Sequence, residues 1–366
     1  MKIAILTSSR ADYSIYTPLL RRMKEDSFFE VDIIAFGTHL SRKYGYTIDK
    51  IIEDGFEVKH RLETAPEKDS PKEISFSIGA TIEKFSKLWE ENKYDLIFAL
   101  GDRYEMFAAV SASLPFNMKV AHIFGGETTL GAIDNVFRHS ISLMSKIHFA
   151  TTESYKKRIV EIIGSEENVF DVGALNIDNL KELSLLSIDE FKNKYQIDLK
   201  IPTILITFHP ETVAFENNIE YAKELVNVLK GCTNYQLVIT MPNADTMGVS
   251  IRVILQEFID KHANAFGIES FGTIDYLSCM KHCSFMLGNT SSGFVEASFF
   301  PKYVINIGDR QKGRIVTPNI INSTFSSSAI EASIRKVESS LPLKNLEVYG
   351  NGNTAQQICD IVRKIK

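Results

Sequence analysis

Short apolar segments alternate with amphipathic segments along most of this 366-residue chain. In the first half, the segments with the composition of buried strands are residues 2–6, 31–36, 56–60, 94–100, 119–124 and 147–151. Segments with helical periodicity separate several of them, at residues 14–24, 74–91, 104–114 and 133–144. Such alternation is typical of βαβ units, in which a helix connects neighbouring parallel strands. The sequence therefore predicts an α/β fold with parallel sheets.

The alternation loosens in a polar helical stretch at residues 181–195 and then resumes. The later strand-like segments are residues 202–208, 236–241, 265–270, 284–287 and 303–307. The length of the chain also favours two domains. We expect a Rossmann-like domain over residues 1–172, a nucleotide-binding Rossmann-like domain over 173–352, and a helix at about 353–366 that packs back on the first domain. Ligands of two doubly wound domains are expected in a cleft at the carboxyl ends of the strands.

Composition limits the partners of the chain. Its formal net charge is −5 and its pI about 6.0, which argues against a nucleic-acid or acidic-membrane surface. Hydrophobic residues make up 44% of the chain, so a sizeable core is expected. No apolar run reaches the roughly 18 residues of a membrane span, and residues 1–7 are too short in apolar residues for a signal peptide. We therefore expect no nucleic-acid partner and no membrane.

The cysteines indicate a reducing compartment. Only four occur, and they fit no disulfide framework, so we expect a cytoplasmic protein. Cys279 and Cys283 flank His282, but this spacing matches no zinc pattern, and it favours buried structural thiols. No acidic metal cluster is evident either. We expect no metal and no cofactor.

The stretch GNTSSGFVE, residues 288–296, is the strongest sign of a ligand. It follows the strand-like residues 284–287 and opens a predicted helix at 294–300. Small residues at a strand-to-helix turn let backbone N–H groups approach phosphate oxygens, and the positive end of the helix dipole adds to this attraction. The structural alternative is that Ser291 or Ser292 only caps the helix.

Residues 308–314, GDRQKGR, shift that balance towards a ligand. They follow the next strand and bring three cations, including Arg310, to the same edge. A turn rich in glycine and serine beside basic residues indicates a pyrophosphate site. Glu296, inside the predicted helix, could accept hydrogen bonds from a pair of sugar hydroxyls.

Residues able to do chemistry also follow strands of the first domain. Arg10 could contact a phosphate, although a surface cation is the structural alternative. Asp102, Glu127 and Asp134 each follow a strand or begin a helix, and each alone could be a helix cap. Arg103 follows Asp102 at a helix start, where the dipole disfavours a cation, and an anionic ligand would explain it. Three carboxylates at strand ends of one domain favour catalysis over capping.

Two further segments follow strands of the second domain. His209 comes directly after the first of them and would point into the cleft, the alternative being a core or capping histidine. The next residue, Pro210, suits a helix start. Residues 242–245, PNAD, follow the next strand as a polar turn whose role stays open.

Together these residues make the chain resemble the hydrolysing UDP-N-acetylglucosamine 2-epimerases, which make N-acetylmannosamine and UDP for sialic acid synthesis. The resemblance covers nearly the whole chain. The matching motifs lie at residues 9–14, 101–103, 122–127, 131–134 with 138–140, 208–212, 242–245, 288–296, 305–314 and 349–353. Thr290 stands where the family usually has Ser, and Asn135 where some relatives carry a second Asp. The resemblance implies a GT-B-like fold, with the UDP-sugar in the interdomain cleft.

The resemblance also implies a reaction and its residues. UDP leaves carbon 1 of the sugar to give a 2-acetamidoglucal, and water then adds with inversion at carbon 2. The implied catalytic residues are Asp102, Glu127, Asp134 and His209, with the roles of acid and base unassigned among the carboxylates. The implied substrate-binding residues are Arg10, Arg103, Thr290, Ser291, Ser292, Gly293, Glu296 and Arg310.

Alternatives remain at this stage. UDP-N,N′-diacetylbacillosamine could replace UDP-N-acetylglucosamine as substrate of a hydrolysing 2-epimerase. A non-hydrolysing epimerase or a glycosyltransferase would share the fold. A third alternative is a protein without enzymatic activity that only binds nucleotide sugars, although the three carboxylates argue against this alternative. The family leads us to expect a homodimer or homotetramer, for which Ile74, Ile78 and Ile82 offer an apolar helix face.

Overall fold

The computed structural model of the chain divides it into two compact units. The structure describes residues 1–42, 45–67, 70–128, 130, 133–211, 215–241, 248–269, 271–344 and 346–365. The first unit comprises Met1–Glu127, Ile133–Lys181 and Gly350–Lys366, and the second comprises Thr128–Ala132 and Glu182–Tyr349. Each unit contains one parallel sheet.

The sheet of the first unit has seven strands. They are β1 (Lys2–Thr7), β2 (Glu30–Phe36), β3 (Val58–Leu62), β4 (Leu96–Leu100), β5 (Val120–Ile123), β6 (Ile147–Ala150) and β7 (Val169–Asp171). Their order is β3-β2-β1-β4-β5-β6-β7, and every neighbouring pair is parallel. The order reverses between β1 and β4, the point at which doubly wound sheets bind ligands.

The helices of this unit cover both faces of the sheet. They are α1 (Arg10–Lys24), α2 (Ile48–Glu53), α3 (Pro71–Glu91), α4 (Tyr104–Ser113), α5 (Asp134–Met144), α6 (Glu153–Ile163) and α7 (Leu175–Glu182). Successive side chains of a strand point to opposite faces, so Ile3 and Ile5 pack in one core while Ala4 and Leu6 pack in another. Because both faces are covered, the strands read as continuous apolar runs. The three isoleucines of the proposed oligomer face lie on α3 and are half-buried.

The second unit repeats this plan with six strands. They are β8 (Thr203–Thr207), β9 (Gln236–Thr240), β10 (Ala265–Ile268), β11 (Phe285–Gly288), β12 (Val304–Ile307) and β13 (Ile320–Ser323). All pairs are parallel, in the order β10-β9-β8-β11-β12-β13. The helices are α8 (Ile188–Tyr195), α9 (Asn218–Gly231), α10 (Gly248–Ile259), α11 (Gly272–His282), α12 (Glu296–Phe299) and α13 (Ser327–Glu338). The order reverses between β8 and β11.

The last helix, α14 (Thr354–Lys364), belongs to the first unit. The carboxylate of Asp178 accepts hydrogen bonds from the backbone N–H groups of Thr354 at 3.0 Å and Ala355 at 2.7 Å. These bonds satisfy two of the donors that a helix start leaves unpaired. Ile358 and Val362 join the core beneath α1. The turn before α14 contains Gly350 at φ +92°, where a Cβ would lie 3.2 Å from the Cα of Gly173.

The prediction of two doubly wound parallel sheets is confirmed, and the structure corrects several elements. Strands β7 and β13 were not predicted, because each contains only two consecutive apolar residues. The predicted helix at 181–195 is instead the end of α7 followed by α8, which begins at a capping box between Ser187 and Glu190. No helix begins at Pro210, since α9 starts at Asn218. None of the described helices is long and apolar enough to cross a membrane.

Candidate active site

Three predicted catalytic carboxylates gather at the carboxyl edge of the first sheet. Asp102 follows β4, Glu127 follows β5, and Asp134 begins α5. The buried guanidinium of Arg138, one turn further along α5, pairs with the Asp102 carboxylate. Its Nη1 also donates to the backbone carbonyl oxygen of Glu127 at 2.8 Å. Arg138 thus joins the loops that follow β4 and β5 to the start of α5. Because Asp102 pairs with it and α4 begins without a side-chain cap, Asp102 is not a helix cap.

The carboxyl of Asp134 is easier to protonate than an ordinary aspartate. Burial raises its pKa, and the negative charge of Asp102 raises it further, against the opposing effect of Arg103 and Arg138. A carboxyl group with a raised pKa is suited to donate a proton in a reaction that needs both a proton donor and a proton acceptor.

The turn that carries Glu127 has an unusual backbone. Phe124 has φ +65°, a conformation that side-chain-bearing residues rarely adopt, and Gly126 has φ +76°. A Cβ on Gly126 would lie only 2.3 Å from the carbonyl oxygen of Tyr155, so only glycine fits there. The Glu127 side chain is buried, and its Oε1 accepts a hydrogen bond from the Thr151 hydroxyl at 3.3 Å. The carboxylate is consequently held in place from the next strand.

His122 on β5 supports the turn before Asp102. Its Nε2 lies 2.8 Å from the carbonyl oxygen of Gly101, and since a carbonyl only accepts, Nε2 carries the proton. Its Nδ1 lies 3.0 Å from the hydroxyl of Ser142. Burial lowers the pKa of His122 to about 3, so the ring is neutral at physiological pH. The neutral imidazole, which is hydrogen-bonded through both of its nitrogens, holds in place the peptide that precedes Asp102.

The two arginines predicted to bind the substrate in this unit differ in setting. Arg10 is the first residue of α1, and its side chain is exposed. Arg103 donates through Nε at 3.2 Å and Nη2 at 2.7 Å to the carboxylate of Glu105. Burial disfavours its charge, but the carboxylates of Glu105 and Asp12 outweigh that effect and raise its pKa. Glu105 therefore accounts for a cation at this helix start without an anionic ligand, and substrate binding by Arg103 stays a prediction.

The GNTSSG stretch forms a tight turn after β11 in the second unit. Gly288 has φ +143°, and a Cβ there would lie 2.0 Å from the carbonyl oxygen of Thr207 on β8. Residues Ser291–Gly293 form one turn of 3-10 helix, with Thr290 as its N-cap, whose hydroxyl accepts from the backbone N–H of Ser292 at 3.4 Å. Thr290, and neither of the two serines, is therefore the capping residue.

The helix predicted over 294–300 is much shorter in the structure. Only Glu296–Phe299 is α-helical, so Glu296 is its first residue and does not lie one turn inside it. Pro301 follows Phe300, and the residue before a proline disfavours the helical conformation, which explains the early end. One helical turn has a small dipole. Anion binding here must depend on the hydroxyls and backbone N–H groups of the 3-10 turn and on neighbouring cations.

Asn289 ties that turn to two other strand ends. Its side-chain oxygen accepts from the backbone N–H of His209 at 2.8 Å, and its side-chain nitrogen donates to the His209 carbonyl at 2.8 Å. Its own carbonyl accepts from Arg310 Nη1 at 3.1 Å and Gln311 Nε2 at 2.9 Å. Burial and the nearby Arg310 lower the pKa of His209 to about 4. The predicted catalytic residue His209 and the predicted substrate-binding residues Thr290 and Arg310 are thus brought together.

A cavity of about 610 Å³ lies beside this cluster in the second unit. The stacked rings of Tyr221 and Phe325 line part of this cavity. Glu211, Asp309 and Gln311 also line it, and these three residues lie next to Arg310 in sequence or in space. The Glu211 carboxylate accepts from the backbone N–H groups of Asp309 at 2.8 Å and Arg310 at 3.1 Å. None of the predicted substrate-binding residues lines this cavity, but the loop over residues 308–314, which lines part of it, carries Arg310.

Comparisons with known proteins show the family of the chain. The family model described as UDP-N-acetylglucosamine 2-epimerase matches residues 21–363. A Campylobacter jejuni protein named GDP/UDP-N,N′-diacetylbacillosamine 2-epimerase (hydrolyzing) is 36% identical over 339 residues, which are 92% of this chain and 88% of that protein. The UDP-N,N′-diacetylbacillosamine 2-epimerase (hydrolyzing) of Legionella pneumophila is 31% identical over 364 residues, 100% and 96% of the two chains. The chain is a member of the hydrolysing UDP-sugar 2-epimerase family.

The fold agrees with this membership. A crystal structure of UDP-GlcNAc 2-epimerase from Neisseria meningitidis bound to UDP-GlcNAc superposes with a TM-score of 0.84 and covers 100% of both chains at 18% identity. The GT-B-like prediction is therefore confirmed. The family resemblance inferred from the motifs is confirmed as well.

Several residues of this 2-epimerase site were not predicted as site residues. Arg138 and His122 stood inside quoted motifs, as did Asn289 and Glu211, but all four act through contacts with residues distant in sequence. Their place inside the matching motifs is the signal that could have singled them out. Three parts of the matching motifs lie outside the described residues: residue 212, residues 242–245 and residues 131–132.

Proposed function

We propose that this 2-epimerase hydrolyses a UDP-linked 2-acetamido sugar with inversion at carbon 2, and that UDP-N,N′-diacetylbacillosamine is its substrate. The two relatives at 36% and 31% identity carry that substrate in their names, which supports this choice. UDP-N-acetylglucosamine, with N-acetylmannosamine as product, is the second candidate. The description of the family model and the ligand of the Neisseria meningitidis structure favour it. The sequence motifs had placed the second candidate first.

The first unit supplies the acid–base chemistry in this proposal. A carboxylate removes the proton from carbon 2 while the bond between carbon 1 and the diphosphate oxygen breaks, and the bonding electrons leave with UDP. The remaining electron pair forms the double bond of a 2-acetamidoglucal. Water then adds its hydroxyl at carbon 1 and gives its other proton to a carboxylate or to solvent, while an acid delivers a proton to carbon 2 on the opposite face. Asp102, Glu127 and Asp134 are the candidates for these steps.

The raised pKa of Asp134 gives a first division of these roles. Asp134, whose pKa is raised, is the candidate for a proton donor, because it keeps its proton to higher pH than an ordinary aspartate. Asp102, paired with Arg138, is held as the charged partner. After each turnover the proton taken in the first step must return to the donor or exchange with water.

The second unit supplies the nucleotide site. In this proposal Ser291, Ser292 and Arg310 contact the diphosphate, and charge-assisted hydrogen bonds of this type contribute about 1.5–3 kcal/mol each. Several together stabilise UDP as a leaving group. His209 is neutral at pH 7, so it serves as a hydrogen-bond donor and not as a fixed cation. Glu296 accepts from the ribose hydroxyls.

One observation carries the proposal: Arg138 joins the Asp102 carboxylate to the Glu127 loop, and Asp134 begins the same helix. A protein that only bound nucleotide sugars would have no need for three carboxylates at one edge, since they repel an anionic ligand. The arrangement therefore favours catalysis over simple binding.

Release of free UDP without any sugar acceptor tests the proposal. The chain is incubated with each candidate UDP-sugar separately, and UDP is measured by a coupled assay, with the Asp102→Asn variant as the inactive control. We expect UDP release from both, with a kcat/KM at least tenfold higher for UDP-N,N′-diacetylbacillosamine. A preference for UDP-N-acetylglucosamine would reverse the substrate assignment. UDP release from neither sugar would overturn the hydrolysing function.

A further inference from the structure

A row of hydroxyl groups runs behind the turn that carries Ser292. The phenol of Tyr276, on α11, lies 2.8 Å from the Ser292 hydroxyl and 3.3 Å from the hydroxyl of Thr207 at the end of β8. The hydroxyl of Thr240, at the end of β9, donates to Thr207 at 2.9 Å. Four hydroxyls from four different elements therefore connect the strand ends to this turn.

The distances indicate which way the protons point. A hydroxyl has a single proton, and the shorter contact of Tyr276 is the one to Ser292. A phenol is a stronger donor than an alcohol, so Tyr276 donates to Ser292 and the serine oxygen accepts. Burial raises the pKa of Tyr276 to about 12, so this proton is present at physiological pH. The Ser292 proton must then point away from Tyr276.

Within the described part of the unit, the acceptor on the other side of Ser292 is the hydroxyl of Thr290 at 3.1 Å. A diphosphate oxygen is a stronger acceptor, because it is charged and forms shorter bonds. Hydrogen bonds in a row polarise one another, so a serine that already accepts from a phenol donates more strongly. The row therefore prepares Ser292 to donate to an anion.

We propose that Tyr276 is a positioning residue of the nucleotide site, which orients the Ser292 hydroxyl so that it donates to the diphosphate of the substrate. This inference rests on the proposed function, because it requires that UDP binds at this turn. It adds a residue of α11 that belongs to none of the motifs by which the family was first noticed. In this proposal Tyr276 acts through the Ser292 hydroxyl.

The test is a double-mutant cycle on UDP affinity, measured by isothermal titration calorimetry with the full chain. The variants are Tyr276→Phe, Ser292→Ala and the double variant. Tyr235→Phe is the matched control, because the Tyr235 phenol donates to Glu338 at 2.9 Å in the same unit, next to the start of β9. We expect Tyr276→Phe to weaken UDP binding about tenfold and Ser292→Ala at least as much. Tyr235→Phe should leave the affinity within twofold of the unmodified chain.

The coupling separates positioning from mere structural support. In the Ser292→Ala background, Tyr276→Phe should change UDP affinity less than twofold, because the group it orients is gone. The melting temperature of ligand-free Tyr276→Phe should match that of Tyr235→Phe. An affinity loss of the same size in both backgrounds, or no loss at all, would overturn the inference. If Tyr276→Phe does not fold, Thr207→Val breaks the row one hydroxyl earlier, and unchanged UDP affinity would then be the contradicting result.

Failure of the proposed function gives a different result. If the unmodified chain does not bind UDP, the nucleotide assignment itself is wrong and the role of Tyr276 falls with it. If the unmodified chain binds UDP and Ser292→Ala weakens it, the nucleotide site stands. The effect of Tyr276→Phe on UDP affinity then decides whether the inference about Tyr276 holds.

Discussion

Replacing Asp102 with asparagine separates the catalytic role of its charge from its structural role. Asparagine keeps the shape of the side chain and one oxygen that can accept from Arg138. It removes the negative charge that faces a buried guanidinium, with the two side chains 26% and 4% exposed. Breaking a fully buried pair costs about 3–5 kcal/mol, and an exposed pair contributes about 0–1 kcal/mol. Because this pair is mostly buried but Asp102 reaches solvent and asparagine retains an acceptor, we expect about 1–2 kcal/mol of lost stability.

The catalytic loss should be larger than the loss of stability. Removing a general acid or base lowers turnover by about 10²–10⁴-fold, which corresponds to about 3–5 kcal/mol of barrier. UDP affinity should stay within threefold, because the diphosphate is assigned to residues of the second unit. The measurements are UDP release at saturating UDP-sugar, UDP binding by calorimetry and thermal unfolding.

Asp54→Asn is the control for this experiment. The Asp54 side chain is 24% exposed and accepts from Lys50 Nζ at 2.7 Å and from the Tyr13 phenol at 2.8 Å. It therefore matches Asp102 in exposure and in having a cationic partner. We expect a similar small loss of stability with turnover within twofold of the unmodified chain. If folded Asp102→Asn kept more than a third of the normal kcat, the acid–base assignment would be refuted.

Three further predictions follow from local geometry and charge. The pKa of Asp134 is raised in the folded protein, so the folded protein loses stability as pH rises above 3.8, the ordinary pKa of an aspartate. In the Asp134→Asn variant the unfolding free energy should therefore depend less on pH in that window. Turnover of this variant should fall at least 10²-fold. The pKa of His209 is depressed to about 4, so stability falls as pH drops from about 6.5 to 4, and a His209→Asn variant should show a flatter dependence in urea titrations. Gly126→Ala should destabilise the fold by about 2 kcal/mol or more in the same assay, because the new Cβ meets the Tyr155 carbonyl at positive φ.

The sequence could show which edge of each sheet carries the candidate site residues, because of how parallel sheets are built. Every strand of such a sheet ends at the same edge, so Asp102 and Glu127 were expected to be neighbours although 25 residues separate them. The glycines of these turns could be recognised for the same reason, since strand ends with close backbone approach require them.

Contacts between distant side chains could not be read in this way. The pairing of Arg138 with Asp102 depends on how α5 lies against α4, which no local pattern encodes. The partner of Arg103 was two residues away, yet the sequence alone could not show that Glu105 would be buried. The helix after GNTSSG was overestimated because its apolar periodicity continues to Phe300, although the 3-10 turn before it and Pro301 after it leave room for one turn.

Proton nuclear magnetic resonance of the reaction in D₂O tests the central claim most directly. The chain is incubated with UDP-N,N′-diacetylbacillosamine, and separately with UDP-N-acetylglucosamine, without any acceptor. We predict free UDP together with a released sugar of inverted configuration that carries deuterium at carbon 2, because the proton delivered there comes from solvent-exchanged carboxyl groups. Release of a sugar that keeps its configuration and its hydrogen at carbon 2 would contradict the account.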